Sequence, residues 1–236
     1  MVDPGCVRAY ADAYGLPESY VCVDVETSGL DVEHDYILQL GWCCVTKRQP
    51  IENAGIIINH VSELDDTKAS LLSQRLSSTA VNMQKRGMAY NWSLNRLQTG
   101  VEPKAAAERI VGICNKSEYI LAHYGTLFDF EIIDRLTRKY LDIGLTNAGG
   151  NLIDTAVIFK AASDQLRPRA HETYQSFVTR VLAHRGRSKF SMTACIAELN
   201  LASQGVVDRR AHDAIYDSWL VFLVFETFRA MAQGQP

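Results

Sequence analysis

Tyr20-Val21-Cys22-Val23-Asp24-Val25-Glu26-Thr27-Ser28-Gly29-Leu30 is the stretch on which the reading of this chain turns. Its β-branched and aromatic start, Tyr20 to Val23, has the makings of a buried strand that ends on two acids one residue apart. Side chains at i and i+2 of a strand share a face, so Asp24 and Glu26 point together while Val25 points away. Two carboxylates held side by side repel, and one of them tends to take up a proton. A divalent cation removes that cost, and oxygen-only ligands on a rigid strand end suit the hard ions Mg²⁺ and Mn²⁺. Thr27 to Leu30 reads as a turn in which Gly29 is free to take a positive φ and admit another backbone or a ligand. Read alone, Asp24 and Glu26 serve equally well as surface acids at a strand end.

The rest of the chain bounds what that strand can belong to. At 236 residues it supports one full-sized domain, read as a lead-in over residues 1–19 and a single domain over 20–236. Lys+Arg 24 against Asp+Glu 27 leaves a net charge of -3, so there is no global basic field and any nucleic-acid contact must be local. The N-terminus has no basic start followed by an apolar run, and the apolar run Trp219 to Phe225 is too short for a bilayer. The expectation is an intracellular, soluble protein, cytoplasmic or nuclear, without a membrane partner. Six cysteines without C-x-x-C spacing read as small buried hydrophobes rather than disulfides or zinc ligands.

Taken in order, the chain predicts a second strand over Ile37 to Val45, a break at Lys47-Arg48-Gln49-Pro50 and a third strand over Gly55 to Asn59, an antiparallel meander. Short helices are expected at Ser70 to Leu76 and Ala80 to Arg86, with Trp92 as a core anchor in preference to a base-stacking aromatic. Pro103 to Cys114 has helical spacing and a Pro in its first turn, and Tyr119 to Ala122 reads as a fourth strand. His123-Tyr124-Gly125-Thr126-Leu127-Phe128-Asp129 then leads into a helix. Asp129 there is either an acid favoured by the helix N-terminus or a third metal ligand. Leu152-Ile153 before Asp154 gives a short fifth strand, and 155–199 is helical with interruptions at 167–169 and 186. That segment is locally basic (Lys160, Arg167, Arg169, Arg180, Arg185, Arg187, Lys189), which makes it the expected place for phosphate contacts. A last helix from about Ala211 to Met231 carries Asp217 beside an apolar face, where an acid is rare unless paired or bound.

Three segments together resemble the DEDDh 3′-to-5′ exonucleases. The motif D-x-E-x-x-G-L matches Asp24 to Leu30, the H-N lead before F/Y-D matches His123 to Asp129, and H-x-A-x-x-D matches His212 to Asp217. Three motifs in order are far more specific than one. The resemblance covers about residues 20–232 and implies an α/β, ribonuclease-H-like, mixed five-stranded sheet with helices on both faces. It implies two divalent cations, Mg²⁺ or Mn²⁺, held by Asp24, Glu26, Asp129 and Asp217. Asp24 would bridge them, Glu26 and Asp217 would complete the first, and Asp129 would hold the second, partly through water. His212 would take the proton of the attacking water, and an imidazole with a pKa near 6.5 suits that task. Thr27, Gly29, Leu30, His123, Tyr124 and Phe128 become the substrate-binding candidates, with Leu30 either an apolar wedge against the terminal base or a core residue. The implied partner is a single-stranded nucleic-acid 3′ end, DNA favoured, and a homodimer is left open.

Tyr124 departs from the family's Asn, so a polar contact there is lost or remade. The second motif is similar to mammalian 3′-repair exonucleases, whereas the opening resembles oligoribonuclease. An oligoribonuclease- or ribonuclease-T-like exoribonuclease is therefore the alternative within the class. A nucleic-acid-binding module without catalysis is the alternative outside it, and a hydrolase of another ester is disfavoured for want of a serine-histidine nucleophile or a histidine-rich zinc set.

Overall fold

The computed structural model describes residues 1–85, 90–145, 151–186, 190–204 and 213–235. Five strands form one mixed sheet in the order β3-β2-β1-β4-β5. β1 (Tyr20–Thr27), β2 (Ile37–Thr46) and β3 (Gln49–Ile57) are the antiparallel meander, while β4 (Tyr119–Ala122) and β5 (Asn151–Asp154) run parallel to β1 and to each other. The period of two along β1 sorts its side chains to two cores. Tyr20 and Cys22 pack with α1 (Pro4–Tyr14), α6 (Thr155–Ser163), α7 (Tyr174–Ala183), α8 (Met192–Glu198) and α9 (Ala214–Ala232). Val21, Val23 and Val25 pack on the other side with α4 (Pro103–Cys114) and α5 (Asp129–Leu141). A smaller cluster lies under α2 (Asp66–Lys85) and α3 (Leu94–Leu97), where Trp92 is buried with Leu38, Leu72, Leu76 and Leu97, and Arg96 covers its ring. The helices on both faces are those expected.

Several local expectations differ from the structure. β3 starts at Gln49, not Gly55, because Lys47 and Arg48 both take positive φ (48° and 67°) and close a two-residue hairpin with Thr46 opposite Gln49. Such turns usually announce themselves with Asn or Gly, and here two long cations hid one. The two short helices expected after residue 69 belong to the single helix α2, with Arg86 outside the described residues. The N-terminal residues form α1, whose Cys6, Val7 and Tyr10 are buried, capped by the Asp3 carboxylate accepting from Gly5 N–H at 2.8 Å. Gly29 does not take a positive φ. It is needed for space, since a Cβ there would stand 2.4 Å from the buried Asp35 carboxylate.

Three of the seven cations of the basic stretch are engaged in internal pairs rather than left free for the phosphate contacts expected there. Lys160 is buried against Asp164, Arg180 holds Glu172 and Arg167 reaches Asp3; Arg187 and Lys189 lie outside the described residues. All six cysteines are free, and five of them are buried. Among the described residues no helix is long and apolar enough to cross a membrane.

Candidate active site

The C-terminal end of β1 is where the chain's acids meet. Residues directly opposite in an antiparallel pair share a face, and Asp24 and Glu26 stand opposite Gly41 and Gln39 of β2. Those two neighbours seat the start of α9 beside the acids. Gln39 is buried, and its amide accepts from Ala214 N–H at 3.2 Å and donates to Asp213 Oδ1 at 3.3 Å. Asp213 in turn caps α9 by accepting from Ile215 N–H at 3.1 Å. Gly41 lets the helix lie directly on the strand, since a Cβ there would be 2.0 Å from the Ala214 carbonyl oxygen. Asp217, in the first turn of the helix so placed, meets the two strand acids.

Asp24, Glu26 and Asp217 each offer an oxygen, all within 4.8 Å of one another. Asp129 lies outside that trio but at the same strand end. It opens α5, is buried, and its Oδ1 accepts from Val25 N–H, between the two strand acids, at 3.1 Å.

Electrostatics records the crowding. Burial pushes the Asp24 carboxyl well above its ordinary range, and the charges of Asp129, Asp217 and Glu26 push it further. Burial and then Asp217 and Asp129 raise Glu26 to about 8. Asp129 is raised to about 7 by burial, against the lowering effect of its bond from Val25 N–H. Clustered oxygen donors that resist ionising beside one another are a fitting donor set for a hard divalent cation.

The loop that delivers Asp129 hangs on a carboxylate that the sequence did not single out as functional. Asp154 is buried and accepts from Tyr124 N–H, Thr126 N–H and Ala156 N–H, each at 2.9 Å. It thus ties the 3-10 turn Gly125–Leu127 to the start of α6. His123 is buried too, with Nδ1 3.0 Å from the Thr155 hydroxyl and Nε2 3.0 Å from the Phe190 carbonyl. Burial lowers its pKa, against the raising effect of the Asp154 charge and of the bond to the Phe190 carbonyl. The structure thus gives His123 a supporting place in the loop. Phe128 is half-buried against the α4–α5 core.

On the other side of the acids, Thr27 donates its hydroxyl to Gly29 O at 2.6 Å. Asp35 organises the turn by accepting from Ser28 Oγ, Asp31 N–H and Arg75. At its tip Leu30 is 88% exposed, which excludes the core alternative for that side chain. His212 lies outside the described residues.

No protein-family model and no curated protein matches the chain. Solved structures do. E. coli exonuclease I in complex with a dT13 oligonucleotide superposes on 92% of this chain and 42% of its own, at 14% identity and a TM-score of 0.65. Its product-bound structure covers 90% of this chain and 43% of its own, at 15% identity and a TM-score of 0.59. The zinc-bound form of its complex with single-stranded DNA covers 88% and 39%, at 14% identity and 0.59. The chain therefore spans about two-fifths of the length of these structures. On sheet order, flanking helices and superposition together, this chain has the fold of exonuclease I, the ribonuclease-H-like α/β fold.

Proposed function

We propose that the chain is a metal-dependent 3′-to-5′ exonuclease of the DEDDh type, acting on single-stranded ends, DNA favoured, and releasing nucleoside 5′-monophosphates. The observation that carries this reading is the convergence of Asp24, Glu26 and Asp217 within 4.8 Å, from a strand and a helix far apart in the chain, with Asp129 anchored beside them. The fold supports it, since solved structures of that fold include exonuclease I complexes with oligonucleotides and with zinc.

In this reading Asp24, Glu26, Asp217 and Asp129 hold two divalent cations, Mg²⁺ or Mn²⁺. When bound, these ions supply a more acidic water and charge stabilisation for the leaving oxygen. The protein's own part is positioning and proton transfer. His212 accepts the proton of the water that attacks the terminal phosphodiester, and the bond to the 3′ oxygen of the preceding nucleotide breaks. Leu30, on its fixed and exposed turn, packs on the terminal base. Gln39 and Gly41 seat the helix that carries Asp217, and Asp154 holds the loop that leads to Asp129.

Digestion of 3′-labelled single-stranded DNA, RNA and short oligoribonucleotides with Mg²⁺ or Mn²⁺ tests the proposal. The expected result is release of labelled nucleoside 5′-monophosphate, fastest from DNA. Preference for RNA would move the substrate to the exoribonuclease alternative. No release from any of them would return the chain to a binding module.

A further inference from the structure

Tyr124 is the position where this chain leaves the pattern it resembles, and its surroundings show what the change brings. Its backbone lies at φ 69°, ψ 16°, in the left-handed region where an aromatic residue is disfavoured and Asn is comfortable. That conformation is imposed from below, by the bonds that Asp154 accepts from Tyr124 N–H and Thr126 N–H. The backbone alone would be served better by Asn, so the ring needs a reason of its own.

The ring is stacked on Phe190, with centroids 5.4 Å apart and planes 26° from parallel, yet it remains 39% exposed. Phe190 is itself held in place. Its carbonyl accepts from His123 Nε2, and the Lys160 ammonium sits 5.3 Å from its ring centroid. Lys160 is buried and paired with Asp164 at 2.9 Å, so that ammonium is engaged within the protein, and what Tyr124 itself offers is an aromatic face. Such a face suits a base. Being fixed before binding, it orders few groups when a base arrives.

Its position fits. β4 pairs with β1 in parallel, Val21 with Ile120 and Cys22 with Leu121. β4 ends at Ala122, and Tyr124 follows in the turn whose N–H groups Asp154 holds, the same carboxylate whose charge acts on Asp129 of the acid cluster. Leu127, in the same turn, is also exposed.

We propose that Tyr124, backed by Phe190, is a stacking platform for an unpaired base of a single-stranded nucleic acid entering the carboxylate site. The platform deepens the nuclease reading and rests on it. The test uses the full chain and two single-stranded oligonucleotides, one intact and one with an abasic residue at either of its two 3′-terminal positions.

Tyr124→Asn removes the ring while suiting the backbone. It is expected to melt no lower than wild type and to raise KM for the intact oligonucleotide roughly tenfold, with little change in kcat. KM for the abasic oligonucleotide should stay where it was. Tyr124→Phe, which keeps the ring, restores the preference for the intact strand. Equal losses on both oligonucleotides, or none on either, would overturn the platform while leaving the nuclease intact. An inactive wild type would instead overturn the nuclease reading. Fluorescence anisotropy with the same two oligonucleotides then decides the platform separately: an intact-over-abasic preference that Tyr124→Asn abolishes supports it, and equal binding of both by wild type overturns it.

Discussion

Asp217→Asn is expected to lower Mg²⁺-dependent mononucleotide release by well over roughly a hundredfold, while the metal-free protein at pH 8 melts at the same temperature as wild type or higher. The first half follows from its place in the trio with Asp24 and Glu26. Loss of an outer-sphere partner of a metal site costs roughly 10–100-fold, and a direct ligand is expected to cost more. The second half follows from linkage. Asp24, Glu26 and Asp129 have folded-state pKa values raised above their ordinary ones, so their contribution to stability is present at low pH and fades as pH rises through about 7 and about 8. Asp217 is one of the charges that raises all three. Replacing it by a neutral amide relieves repulsion in the metal-free protein. Activity rates and thermal melts on one preparation check both halves; a variant that loses stability and activity together would make Asp217 a packing residue.

Gly41→Ala is expected to damage the site from a distance. The added Cβ would stand 2.0 Å from Ala214 O, 2.1 Å from its carbonyl carbon and 2.5 Å from Ile215 N, all backbone atoms of the first turn of α9. No side-chain rotation relieves that contact, so either the helix start lifts from β2 or the strand bends. Overpacking of this kind costs about 1–3 kcal/mol or more. Lifting the helix also breaks the Gln39 bonds to Ala214 and Asp213 and carries Asp217 away from Asp24 and Glu26. A lower melting temperature with a loss of activity larger than the unfolded fraction explains is the expected outcome. Wild-type activity in a stably folded Gly41→Ala protein would show that the seating of α9 does not set the site.

What could be read from the sequence follows physical range. Asp24 and Glu26 were legible because period-two alternation is local and their repulsion can be inferred from spacing alone. The strands, apart from the start of β3, and the helices containing Asp129 and Asp217 were legible because strand and helix periodicities are both local. Gln39, Gly41 and Asp154 were not, since nothing near them announces a role. Each acts through a partner far along the chain, Gln39 and Gly41 through residues 213–215 and Asp154 through 124–126. A signal for Asp154 did exist: an acid followed by Thr155 at a strand-to-helix junction is an N-cap pattern, and its second carboxylate oxygen was then available for a neighbouring loop. Lys47 and Arg48 misled because the hairpin geometry overrode what their side chains suggest. Lys160, Arg167 and Arg180 misled because charge counted along a sequence does not reveal the acids that meet it in space.

The proposal that these carboxylates form one cation site is tested by titrating Mn²⁺ into the full chain and following the electron paramagnetic resonance signal of the free ion. Saturable binding is expected at pH 8, weakened at least roughly tenfold at pH 6, where Glu26 and Asp129 hold protons the ion must displace. Asp217→Asn should remove most of it at both pH values. Undiminished, pH-independent binding in that variant, or none in wild type at pH 8, would contradict the claim.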